Sequence, residues 1–282
     1  MNTSTEPASI RGLARRHPLG VFVAATIGLT WPVQIVSLAN GWELMPALLL
    51  ELAFLLGAAT LITAWTDGRP GVRRLYAGAL RWRIGLGRFV VLITAMPALA
   101  LLVGAATGTL HTPPDGWASL LAPYLFQTLI FGLLLGNVWE ETAWGGFLQA
   151  RLMARHGLWT GSLLTAVPFV VMHLPLAFEQ HGWHGTTWGQ AALDWALIAL
   201  VAPFFRYLLG TVLVDTAGSV LAIGLLHASF NGAGKLAALP GGWQYVPAVI
   251  VLTLLVAAYR RWRGRSLTEG SAPALLPAPA YA

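Results

Sequence analysis

The chain has 282 residues, of which 56% are hydrophobic and only 10% charged, with a mean hydropathy of +0.67; water-soluble domains carry about a quarter of their residues charged, so a soluble fold is excluded. The formal charge of +6 does not call for nucleic acid, because basic residues beside membrane spans set orientation and meet anionic lipid. The absence of cysteine removes disulfides and thiolate chemistry and leaves only His, Asp and Glu as side chains for a metal.

Arg11, Arg15 and Arg16 precede a first apolar run at about residues 18 to 38. Ser37-Leu38-Ala39 faintly resembles a signal-peptidase site, but a run of about 20 residues exceeds the usual signal length and more runs follow, which makes it a retained helix. Further apolar segments fall at about 44 to 65, 89 to 108, 119 to 145, 158 to 178, 188 to 210, 212 to 231 and 243 to 260. Each is long enough to cross a bilayer as a helix, and the shorter alternating segments of a membrane barrel do not occur. The expected fold class is therefore all-α, a polytopic membrane protein of about eight transmembrane helices. Trp42, Trp65, Trp117, Trp159, Trp183, Trp188, Trp243 and Trp262 fall near the span boundaries, where amphipathic rings prefer the headgroup zone.

Arginines fall on one side of this arrangement. They lie before span one, between spans two and three (Arg69, Arg73, Arg74, Arg81, Arg83, Arg88), between four and five (Arg151, Arg155), at the end of six (Arg206) and after eight (Arg260, Arg261, Arg263, Arg265), with only Lys235 opposite. The positive-inside rule then places both termini in the cytoplasm of a cell-membrane protein. The stretch from Thr66 to Arg88 is too polar to cross and reads as a surface-lying segment or a solvated loop. The domain expectation is a cytoplasmic tail over 1–17, a single transmembrane domain over 18–262 and a disordered tail over 263–282, whose Ala/Pro content builds no core.

Ionisable groups at bilayer depth cost about 2.5 to 3.5 kcal/mol on insertion scales, so each asks for a reason. Glu51 reads as structural, and Asp194, Arg206 and Asp215 sit near span ends, where headgroups or mutual pairing satisfy them. His173, His227 and Asn231 lie well inside. His227 and Asn231 are spaced i, i+4 and share one helix face, as do Phe169 and His173. Counted at 1.5 Å per residue from Arg151, Asp215 and Leu158, Glu140 lies about 16 Å deep, His227 about 18 Å and His173 about 22 Å, provided that span four runs on past Glu140 without breaking at Gly145-Gly146.

Three short motifs carry these residues: Glu140-Glu141-Thr142-Ala143-Trp144-Gly145-Gly146-Phe147, Phe169-Val170-Val171-Met172-His173 and His227-Ala228-Ser229-Phe230-Asn231. In order and spacing, over about residues 120 to 235, they resemble the CAAX-type intramembrane endopeptidases, the CPBP family. That resemblance implies a hydrolase acting on a membrane-anchored protein or peptide, with Glu140, His173, His227 and Asn231 as catalytic residues, Glu141 and Phe169 in support, and a CAAX-type lipidated substrate within reach. The family motif has an arginine where this chain has Gly145. Position 145 neighbours Glu141 rather than Glu140 on a helix, so Glu141 is either protonated more readily or satisfied by another group, such as Arg151 or Arg206.

Peptide hydrolysis needs an activated water, a proton donor for the leaving amine and stabilisation of the oxyanion. In one scheme Glu140 is the base, His173 positions the water, and His227 and Asn231 donate to the oxyanion, with no cofactor. In another, Glu140, His173 and His227 hold Zn2+ with an open position for water. A third reading, motivated by Gly145, is an inactive family member acting as a membrane scaffold or a peptide or bacteriocin immunity factor. Ionisable residues too scattered to mark a pathway argue against a transporter. Partners are a membrane-anchored substrate and the lipid bilayer, with no nucleic acid; nothing in the sequence sets an oligomeric state.

Overall fold

The computed structural model describes residues 9–276, and among these there is no strand. In chain order the helices are α1 (Ile10–Arg16), α2 (Pro18–Ala39), α3 (Met45–Thr66), α4 (Gly68–Ala79) and α5 (Leu86–Ala106). A continuous winding helix follows, in which α6 (Leu121–Phe126) and α7 (Val138–Glu141) are separated and followed by π-helical turns over Gln127–Asn137 and Thr142–Gln149. Then come α8 (Ala150–His173), α9 (Gly182–Gly185), α10 (Trp188–Asp215), α11 (Val220–Ala233) and α12 (Tyr245–Trp262). Proline in the first turn starts α2 and α3, where its missing N–H is no loss. A reciprocal capping box of Thr187 and Gln190 starts α10.

The chain is an all-α polytopic membrane protein. Six helical stretches are long and apolar enough to cross a membrane, and one of these covers 62 residues, Trp117–Phe178. At 1.5 Å per residue such a stretch would be about 90 Å long, three times a bilayer core, so it must double back. It does so at Gly157, whose φ of 80° and ψ of 172° are non-helical and need a residue without Cβ. α11 has only 14 residues, about 21 Å, yet nearly all of it is buried. It is the central helix and for that reason is apolar on most of its surface, with His227, Ser229 and Asn231 as the polar exceptions. Two passes in the long stretch, α11 and the five other stretches make the eight expected. Outward-facing Leu86, Leu102, Leu134 and Leu254 are more than half exposed, as a lipid-facing surface requires.

The arginine-bearing connections meet at one end of the bundle. Arg151 pairs with Asp67 at 2.6 Å, Arg81 donates to the Ala217 carbonyl at 2.8 Å, and Arg260 and Arg265 both hold Asp215, at 2.6 and 2.8 Å. At the other end His111 N–H donates to the Ala238 carbonyl and Gln244 donates to Thr109. The Thr66–Arg88 stretch is mostly the helix α4, with Leu75 buried. Two expected tails differ. Residues 10–16 form a helix capped by Ser9, while residues 1–8 lie outside the described residues. The C-terminal segment, expected to be disordered, is held as far as Leu276: Thr268 carbonyl accepts from Trp159 N–H, Leu267 carbonyl accepts from Tyr207, and Leu275 fills the notch left by Gly78 and Gly218. Composition missed this because one leucine seated in a bare notch outweighs the Ala/Pro content around it. Leu275→Ala is expected to cost about 2–5 kcal/mol and to open the tail near Thr268 to limited proteolysis.

Candidate active site

Small residues bring α11 against the winding helix. A Cβ on Gly224 would lie 2.8 Å from the Val138 Cα, and one on Gly132 would lie 2.7 Å from the Ala228 Cβ. Without a hydrophobic drive between helices in lipid, such close backbone approach is what packs them. The contact sets His227 opposite α7 and Asn231 opposite Asn137. The turns on either side of α7 are π-helical, a wider winding that recurs at functional sites and keeps the helix unbroken through Gly145-Gly146.

Glu141 is wholly buried and accepts from Arg206 Nη1 at both carboxylate oxygens, at 2.8 and 3.0 Å. Its Oε1 also faces His227 Nδ1 at 2.9 Å. Arg206 is itself fully buried and gives its remaining N–H groups to Gln149, whose amide donates back to the Arg206 carbonyl at 2.7 Å. Arg206, expected near the end of span six to be satisfied by headgroups, by pairing with Asp194 or Asp215, or by Glu141, is thus wholly buried as the counter-cation of Glu141. Of the two groups expected to satisfy Glu141, Arg206 does so and Arg151 pairs with Asp67 instead. The place of the motif arginine is filled by Ile223: a Cβ at 145 would collide with Ile223 Cδ1 and stand 2.9 Å from Glu141 Oε2. Gly145→Ala is expected to cost about 1–3 kcal/mol by overpacking, and Ile223→Val, which deletes that methyl, to relieve it in thermal unfolding of the double variant.

Glu140 is oriented by Asn137, which donates to its Oε2 at 3.1 Å; Asn231 in turn donates to Asn137 Oδ1 at 3.3 Å. Glu140 Oε2 is 3.9 Å from His227 Nδ1. Asn137 and Gln149 were missed from sequence. Both are amides rather than ionisable groups, and the available signal was Asn137 standing one helical turn before Glu140 in an otherwise apolar run.

His173, at the last turn of α8, points Nδ1 at the Phe169 carbonyl at 2.7 Å. A carbonyl only accepts and Glu141 in its ion pair only accepts, so both histidines carry their proton on Nδ1 and leave Nε2 for the cavity that their rings line. Phe169 stands between them, 4.3 Å from the His173 ring and 6.4 Å from that of His227, measured between centroids. It also packs edge-on against the buried Trp144. The structure therefore links Glu140 and Asn231 by hydrogen bonds through Asn137, sets His227 beside Glu140 without a hydrogen bond between them, and brings His173 to the same cavity as His227 and Asn231.

Among the described residues no group of three or more His, Asp or Glu side chains is placed to hold a metal ion. Glu140 approaches His227 on the Nδ1 edge, already occupied by Glu141, and turns its other contacts to Asn137. Of the remaining buried carboxylates, Glu51 accepts from Gln34 at 2.6 Å, as a structural role requires.

These features define a class: a helical membrane protein whose central helices bury a carboxylate–imidazole group beside a cavity. Residues 122–233 match the family model of the type II CAAX prenyl endopeptidases, Rce1-like, which is the CAAX protease family that the three motifs resemble. The match indicates a protease of the membrane, with a membrane-associated protein as substrate. No curated protein matches the chain.

Proposed function

We propose that the chain is an intramembrane endopeptidase in which Glu140 activates the attacking water. The observation that carries this is the Arg206–Glu141–His227 chain beside Glu140: a buried carboxylate fixed by an arginine on one side and orienting an imidazole on the other has the logic of a catalytic carboxylate–histidine pair. Water held between Glu140 and His173 Nε2 gives its proton to Glu140, and the oxygen attacks the carbonyl carbon. The C–N bond then breaks as Glu140 returns the proton to the leaving amine. Asn231 donates to the oxyanion. His227 does so from Nε2 when its ring carries both protons, and the Glu141 carboxylate balances that charge.

The reading as an inactive scaffold or immunity factor rested on the missing motif arginine, and Arg206 supplies that charge from another helix. No step of this mechanism is routed through Zn2+. Cleavage of a membrane-anchored peptide by the purified protein is expected to be unchanged, within about twofold, after exhaustive chelation; loss of activity restored by stoichiometric zinc would reverse this assignment. A CAAX-type lipidated protein is the substrate class that the family points to, and comparing prenylated with unprenylated versions of one peptide measures the contribution of the lipid.

A further inference from the structure

At the arginine-bearing end of the bundle, α4 runs back along α3. Gly71 sits against Thr63 and Asp67, and the Tyr76 hydroxyl meets Thr60 Oγ1 at 2.8 Å. Thr60 stands six residues before Thr66, the last residue of α3, or about 9 Å inside the end of that span. Gly71, Leu75 and Gly78 are buried on the inner face of α4. Leu75 packs against the winding helix, where a Cβ on Gly146 would lie 3.2 Å from its Cδ1. The outer face is left bare. Arg69, Arg73, Tyr76 and Leu80 follow one another at helical spacing and, with Ala77 and with Ala64 of α3, line an open groove of about 540 Å³.

Two features of this groove select its occupant. Ala64 stands in the last turn of a membrane span and is exposed, as are Ala77 and Leu80, so whatever lies there meets the apolar edge of the bilayer. Arg69 and Arg73 are exposed too, and neither makes an ion pair among the described residues. Asp67 and Asp215, at the same end, are already held by Arg151 and by Arg260 with Arg265. Two unpaired guanidinium groups one helical turn apart, beside an apolar wall, match a phosphate that carries a hydrocarbon chain. An acidic protein would satisfy the charges and leave the apolar wall uncovered.

We propose that the groove binds an anionic phospholipid of the leaflet at the arginine-bearing end, which the positive-inside rule makes cytoplasmic. Arg69 and Arg73 hold its phosphate, and an acyl chain lies against Tyr76, Ala77 and Leu80. Bound there, the lipid holds α4 on α3 and keeps Leu75 against Gly146, bracing the winding helix just beyond Glu140 and Glu141.

The test uses the full chain, purified and delipidated in a neutral detergent, with bound lipid counted by native mass spectrometry. Phosphatidylglycerol is expected to fill one site about tenfold more tightly than phosphatidylcholine with the same acyl chains; equal binding overturns the proposal. Arg69→Gln with Arg73→Gln is expected to reduce that preference to less than about twofold. Arg261→Gln with Arg263→Gln removes two exposed arginines outside the groove and is expected to leave the preference intact. An equal loss in both double variants would mean diffuse surface charge and overturn the site. Ala77→Trp, which fills the apolar wall, is expected to weaken phosphatidylglycerol about tenfold; unchanged binding overturns the seat of the acyl chain. Inorganic phosphate in large excess is expected to leave the lipid bound, and displacement by it would make this a small-anion site instead. Phosphatidylglycerol is also expected to raise the unfolding temperature by about 3 °C, a rise lost in the Arg69→Gln, Arg73→Gln variant; the same rise in that variant counts against the brace. None of these readouts involves cleavage, so they stand or fall separately from the endopeptidase reading.

Discussion

Arg206→Met is expected to unfold the protein at markedly lower temperature, with a loss of about 3–5 kcal/mol, because it strands the Glu141 carboxylate in a wholly buried site. The pair makes two hydrogen bonds, and Gln149 accepts the remaining guanidinium N–H groups, so no water compensates when the cation goes. Adding Glu141→Gln is expected to recover most of that stability, since a neutral amide of the same shape is far cheaper to bury than a bare carboxylate. Activity is expected to stay low in the double variant, because His227 Nδ1 then faces an amide instead of a carboxylate. A structural ion pair alone would restore cleavage along with stability. The measurements are thermal unfolding in detergent and single-turnover cleavage for the four members of the cycle, the non-additive part giving the coupling.

Glu140→Gln is expected to act the other way round, lowering turnover by about 10²–10⁴-fold, the range of a lost general base, with little change in unfolding. The amide oxygen can still accept from Asn137, so the side chain keeps its orientation. Glu140 takes no part in the Arg206 pair and is not fully buried, so no charge is stranded. Substrate binding is expected to persist, with the loss in kcat rather than KM. Cleavage at the rate of the unmodified protein would assign the water to another group and sink the mechanism.

Much of the fold was legible because its cause is local. Crossing a bilayer demands about twenty apolar residues in helical form, and the chain repeats that demand visibly, with arginines recording which connections share a side. The segments that misled are those whose fate depends on partners: the tail expected to be free is held by Leu275 in a notch made by two glycines. The site divided in the same way. Glu140, His173, His227 and Asn231 were readable as polar groups at a common depth, and Phe169 and Glu141 as their helical neighbours. Asn137 and Gln149 were not, because a neutral amide in a span carries a small insertion penalty and draws no notice.

What the sequence determined by itself was the helical membrane class and the number of crossings, since both follow from composition and from spacing along single helices. What only the tertiary structure decided was who faces whom. Arg206 lies 65 residues from Glu141, and their meeting depends on α10 packing beside the winding helix, with Ile223 on α11 filling the position from which the motif arginine would act. Burial of the charge on Glu141 makes a cation obligatory, but that requirement names no residue. Three-dimensional packing assigns it to Arg206.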